Sequence, residues 1–164
     1  MNDVRLGAAR KRLAESRDQE DAIEGLREIA ANFLGSEEIG LFRIDRSTGT
    51  FQLLWSFGID VEKCDLLKAL GDSGLSRVMS GECQVELVAR ERSDAMAMAE
   101  AFVPIRFANQ TIAILAIFRL LPQKLGFDGS DKELFKLLSE EAAKPLFGAS
   151  AHSRPVIKAQ GMGK

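Results

Sequence analysis

Apolar residues recur at three-and-four spacing near both ends of the chain, and alternate or run together in shorter segments between. Ile23, Leu26, Ile29, Ala30 and Phe33 fall on one face of a predicted helix that Gly35 is suited to stop. Ser16-Arg17-Asp18-Gln19 before it has the form of a capping box. Residues 3–15 are more weakly patterned, with Val4, Leu6, Ala9 and Leu13 on a broad face. Toward the other end, Leu134, Leu137, Leu138, Ala142 and Leu146 form the apolar face of a helix opened by Ser130-Asp131-Lys132-Glu133 and ended or kinked by Pro145.

The segments between carry strand and turn signals. Residues 39–45 and 51–57 read as a hairpin around Asp45-Arg46-Ser47-Thr48-Gly49. In its second strand, alternation predicts one face for Phe51, Leu53, Trp55 and Phe57 and the other for Gln52, Leu54 and Ser56. Asp60 and Asp72 are suited to cap short helices over about 61–70 and 74–80, closed by Gly71 and Gly81. Residues 84–88 read as an edge strand, while 89–100 fit a loop or a short helix. Residues 101–107 and 111–119 form the next hairpin across Ala108-Asn109-Gln110. Its second strand is apolar on both faces, with Ile112, Ile114, Ala116 and Phe118 on one and Ala113, Leu115 and Ile117 on the other. Such a strand belongs at the centre of a sheet covered on both sides. The order predicts an α+β fold: a central antiparallel sheet, N- and C-terminal helices on one face, and short helices or loops over the other.

Composition narrows the class. At 164 residues, 46% apolar and 28% charged, the chain is most simply one domain. The patterning divides it into a helical extension over 1–17, a domain over 18–148 and a tail over 149–164 that has no periodicity and is expected to be disordered. A net charge of −2 speaks against the whole domain binding nucleic acid or a membrane surface. No segment reaches the ~18 apolar residues of a membrane span, and the N-terminus lacks a signal-peptide core, so a cytoplasmic location is expected. Cys64 and Cys83 make no disulfide framework and are expected to be free thiols.

Several pieces in this order resemble a GAF domain over about residues 18–147. They are Glu38-Ile39-Gly40-Leu41-Phe42-Arg43-Ile44-Asp45, the first strand ending in an acidic turn, and Phe57-Gly58, closing the second. Gly74-Leu75-Ser76-Arg77-Val78-Met79-Ser80-Gly81 resembles the family's short helix. Val103-Pro104-Ile105 with Ile114-Leu115-Ala116-Ile117 resembles its last hairpin, and Phe127-Asp128 through Ala143 its closing helix. The resemblance implies a twisted antiparallel sheet, a ligand pocket or its remnant under the short helices, and homodimerisation through the terminal helices. In that layout Met79, Met96 and Met98 flank the pocket, Phe42, Trp55 and Phe102 line the same region, and Ile23, Leu26, Phe33, Leu134 and Leu138 are the expected dimer contacts. Plain core filling is the competing reading for the methionines.

Marks of the specialised subclasses are missing. No Asn-Lys-Phe-Asp-Glu-type signature of cyclic-nucleotide binding stands in the chain. Neither Cys64-Asp65 nor Cys83-Gln84 fits bilin attachment, and the two cysteines differ from the cluster of methionine sulfoxide reductases. His152, in the tail, reads as a solvated residue and not a haem or metal ligand, so no cofactor and no metal are expected. Arg10-Lys11-Arg12 reads as a solvated helix face, and Glu91, Arg92 and Asp94 as surface charge. The expected function is a non-catalytic regulatory module, a homodimer that senses a small molecule or binds a partner protein and acts in trans. A ligand-free interaction scaffold with a filled pocket is the alternative, and a thiol-dependent reductase using Cys83 ranks below both.

Overall fold

The computed structural model describes residues 4–45, 47, 50–58, 76–80, 84–85, 101–118, 127 and 129–148. α1 (Val4–Ala14) buries Ala9 and Leu13, and α2 (Gln19–Ile29) buries Ala22, Leu26 and Ile29. The N-cap of α2 is Asp18: its Oδ1 accepts the Asp21 N–H at 2.8 Å, while Asp21 Oδ2 accepts the Arg17 N–H at 3.1 Å. These carboxylates take the reciprocal roles the sequence suggested for Ser16 and Gln19. The Arg17 N–H, with the Arg12 and Arg17 guanidinium groups, holds the Asp21 carboxyl below its ordinary pKa. Ser16 instead donates to the Arg12 carbonyl at 3.2 Å. α2 runs into one π-helical turn, Ala30–Leu34, which Gly35 closes in the left-handed conformation at φ 80°.

Among the described residues, five strands form one antiparallel sheet in the order β2-β1-β5-β4-β3. They are β1 (Ile39–Asp45), β2 (Thr50–Phe57), β3 (Gln84–Val85), β4 (Ala101–Phe107) and β5 (Gln110–Ile117). β5 is central and buried from Thr111 to Ile117, as its two-faced apolar pattern requires. The C-terminal helix is split into α3 (Gly129–Glu141) and α4 (Ala143–Phe147) at Ala142. Pro145 accounts for the break, because it has no N–H and its ring crowds the carbonyl of Glu141.

The helices cover one face of the sheet. Ile39, Leu41, Val103, Ile105, Leu115 and Ile117 join Leu26, Ile29, Leu134, Leu138 and Leu146 in a single apolar cluster. α1 packs into the same cluster through Ala9 and Leu13 and against α2 and α3. Arg5 on α1 donates to the Phe33 carbonyl at 2.8 Å and to Asp131, which is fully buried, at 3.3 Å. This docking bears on three of the expected dimer contacts. Leu26, Leu134 and Leu138 are at most 1% exposed within a single chain, because the sheet and α1 take up the stripes that would otherwise call for a partner.

Two bulges re-aim strand faces. Between β1 and β2 the register shifts so that Leu41 faces Trp55 and Phe42 faces Leu53, leaving Leu54 as the extra residue. Trp55 and Phe57 therefore pack with the helix-side cluster, whereas Phe51 and Leu53 pair with Ile44 and Phe42 on the other face. The single face expected for these four side chains is thus divided. Between β4 and β5, Ile105 faces Ala113 but Arg106 faces Thr111, so Ile112 is the extra residue and packs with the helix-side cluster instead of with Ile114.

The β4–β5 turn has two central residues, Ala108 at φ 53° and Asn109 at φ 66°. A left-handed backbone suits asparagine but not alanine. Ala108→Gly is therefore expected to raise stability by about 0.5–1 kcal/mol in urea unfolding. A loss of stability would show that the turn does not hold this conformation.

Candidate functional site

The sheet face opposite the helices is the candidate site. Phe42, Ile44, Phe102, Ile114, Ala116 and Phe118 are buried there, outside the helix-side cluster. The ladder sets their order. Gly40, Ala116 and Phe102 are neighbours in one cross-strand row, and Leu53, Phe42, Ile114 and Pro104 in the next. The Phe102 ring therefore stands beside Ala116, with Gly40 next along the row.

A helical turn over 76–79 docks on the same face. Val78 is fully buried. The Thr111 hydroxyl donates to the Val78 carbonyl at 2.9 Å and to that of Met79 at 3.3 Å. Arg106 Nη1 donates to Thr111 Oγ1 at 3.1 Å and to the Met79 carbonyl at 3.4 Å, and Nη2 to the Asn109 carbonyl at 2.6 Å. One guanidinium thus joins the hairpin tip to the docked turn. The second bulge makes this possible, because it brings Thr111 opposite Arg106.

Phe42 and Phe102 share this face, on the two strands flanking β5 and in adjacent rows. Trp55 does not join them. It lies on the helix side, parallel to Phe57 with ring centroids 6.2 Å apart, and the Arg27 guanidinium sits 3.7 Å over the Phe57 ring. Met79 is 36% exposed, so Val78 is the anchoring residue of its turn. Met96 and Met98 lie outside the described residues, as do Cys64, Cys83, Glu91, Arg92, Asp94 and His152. Sequence reasoning missed Thr111 and Arg106. A threonine opening an otherwise apolar strand is the signal that could have marked the first.

Arg43 is a buried cation on the helix side, with its guanidinium 4.5 Å from the centre of the Phe147 ring. Burial lowers its pKa from the ordinary arginine value, and the negative face of the ring offsets part of that cost. Among the described residues no group of three or more His, Cys, Asp or Glu could hold a metal ion, and no helix is long and apolar enough to cross a membrane.

No family model matches the sequence, and no curated protein matches it significantly. Solved structures do match the fold. The GAF domain of an Acinetobacter phosphoenolpyruvate-protein phosphotransferase superposes with a TM-score of 0.65 at 16% identity, over 92% of this chain and 98% of that one. Residues 122 to 287 of a methyl-accepting chemotaxis protein give 0.60 at 13% identity, over 84% of this chain and 94% of that one. A GAF domain/HD domain protein from Geobacter sulfurreducens gives 0.54 at 15% identity, over 81% of this chain and 93% of that one.

Proposed function

From the GAF-like fold that this chain adopts, we propose that it is a regulatory, non-catalytic module. It binds a small molecule or a partner protein over the sheet face opposite its helices and passes the signal on in trans. The chemistry of that face carries the reading. Its described side chains are mainly apolar, and its polar pair, Arg106 and Thr111, is occupied in holding the 76–80 turn. An apolar surface with few placed polar groups is suited to binding, and no described residue there supplies a nucleophile or a general base. The fold neighbours include a phosphotransferase and a chemotaxis protein, which supports a signalling role.

A filled scaffold is the second reading, favoured by the complete burial of Phe102 and Phe118. A homodimer belongs to the proposal only through the outer helical surface, where Ile23 and Phe33 remain half-buried. The test is thermal unfolding against nucleotides, amino acids, haem and small organic acids, with light scattering on each hit. A ligand at 100 times its Kd adds about 2.7 kcal/mol, which is several degrees for a domain of this size. A reproducible shift supports the sensor. No shift across the panel moves the weight to the scaffold, and a monomer at high micromolar concentration removes the dimer.

A further inference from the structure

Most cations on the helical side are paired. Arg5, Arg10, Lys11, Arg12, Arg17 and Arg27 each meet a carboxylate at 2.9–3.9 Å. Three cations without such a partner gather in a cleft of about 640 Å³ at the tip of the β4–β5 hairpin, between the 76–80 turn and α3. Among the described residues, Arg106, Lys132 and Lys136 line it together with one carboxylate, Glu140. None of the three cations forms an ion pair among the described residues.

Three features make this cleft more than a solvated surface. Arg106 is held by Thr111 Oγ1 and the Met79 and Asn109 carbonyls, neutral acceptors that orient the guanidinium without cancelling its charge. Lys132 and Lys136 stand one helical turn apart on α3, where like charges repel and weaken a helix by about 0.2–0.5 kcal/mol. The chain uses the opposite arrangement at Lys11–Glu15, where the same spacing joins unlike charges. Ser80, Asn109 and Ser139 add neutral hydrogen-bonding groups to the lining, and Phe107 adds an apolar wall. Among the described lining residues three cations stand against one carboxylate, an excess of two positive charges.

We propose that this cleft binds a small soluble anion of the phosphate-ester or diphosphate class. A doubly charged phosphate matches the excess charge. Arg106 brings an oriented positive charge, with its Nε–H and one Nη2–H outside the bonds to Thr111, Met79 and Asn109, and the two lysines act as flexible point charges. The cleft shares only Arg106 with the sheet face considered above, and the inference stands independently of the function assigned to that face.

The probes are inorganic pyrophosphate and phenyl phosphate, titrated calorimetrically into the full chain at fixed ionic strength. Saturable binding with a sub-millimolar Kd is expected. Lys132→Gln/Lys136→Gln removes two exposed charges, does not lower the melting temperature, and weakens binding by about tenfold or more, the scale of a lost charge-assisted hydrogen bond. Lys11→Gln/Lys144→Gln removes the same charge outside the cleft and should bind like the parent. Three results would overturn the proposal: no saturation by about 10 mM, on the weak side of the affinity scale; the Lys132/Lys136 variant binding as tightly as the parent; or the control variant losing as much. Binding only to vesicles bearing phosphorylated lipid, with none to the soluble probes, overturns it as well.

Discussion

Truncating Phe102 to alanine is expected to cost about 3–5 kcal/mol, the range for removing a buried aromatic ring from a packed interior. Phe102 is fully buried, on the face opposite the helices, beside Ala116 of β5. Ala116 is too small to close over the space, so the transfer and cavity contributions should both appear. For a domain of this size the change lowers Tm by roughly 6–20 °C. The measurement is urea unfolding, with the slope compared to confirm that the denatured state is unchanged. The result also separates the two functional readings. The full cost means that the ring is part of a filled face, as the scaffold requires. A cost nearer 1 kcal/mol, typical of a partly packed side chain, means that the ring borders open space and favours a ligand pocket.

Gly58→Ala is expected to cost about 2–4 kcal/mol, from a left-handed backbone made unfavourable and from overpacking. Gly58 follows the last residue of β2 at φ +79°, and an added Cβ would collide with the Glu37 carbonyl oxygen and crowd the Glu38 side chain at 3.2 Å. The obstacle is backbone, so it cannot turn aside as a side chain would. The β2 end must then move away from the segment leading into β1, which disturbs the Ile39–Phe57 pair. Gly7→Ala is the control: a Cβ there meets nothing within 4 Å, and alanine is the better helix former by about 1 kcal/mol. Equal stability of Gly58→Ala and the parent in urea would show that the close approach is absent.

Some of this architecture can be read directly from residues. The spacing of Ile23, Leu26 and Ile29, and of Leu134, Leu137 and Leu138, marks two helices because burial on one face imposes that period. Gly35 and Pro145 act where expected, since their backbone constraints are local. β5 declares itself central because a strand apolar on both faces has no stable place at an edge. Phe57-Gly58 was legible as a closing element, although the carbonyl that enforces the glycine was not.

The rest was decided by tertiary structure. Alternation alone placed Trp55 with Leu53 and Ile112 with Ile114, but each pair is split by a bulge, and a bulge exists only in the register between two strands. The apolar stripes announce that Leu26, Leu134 and Leu138 are buried without saying against what, and within one chain it is α1 and the sheet that cover them. Arg106 and Thr111, or Arg106 and Lys132, carry no joint signal in the sequence. They meet because the hairpin tip is laid between a docked turn and a distant helix. Among the described segments, local pattern sets which become helix and strand and which side chains leave water, because those preferences act over a few residues. Which faces the bulges turn, what covers the core and which charges share a cleft depend on contacts between residues far apart in the chain, and only the packed molecule decides them.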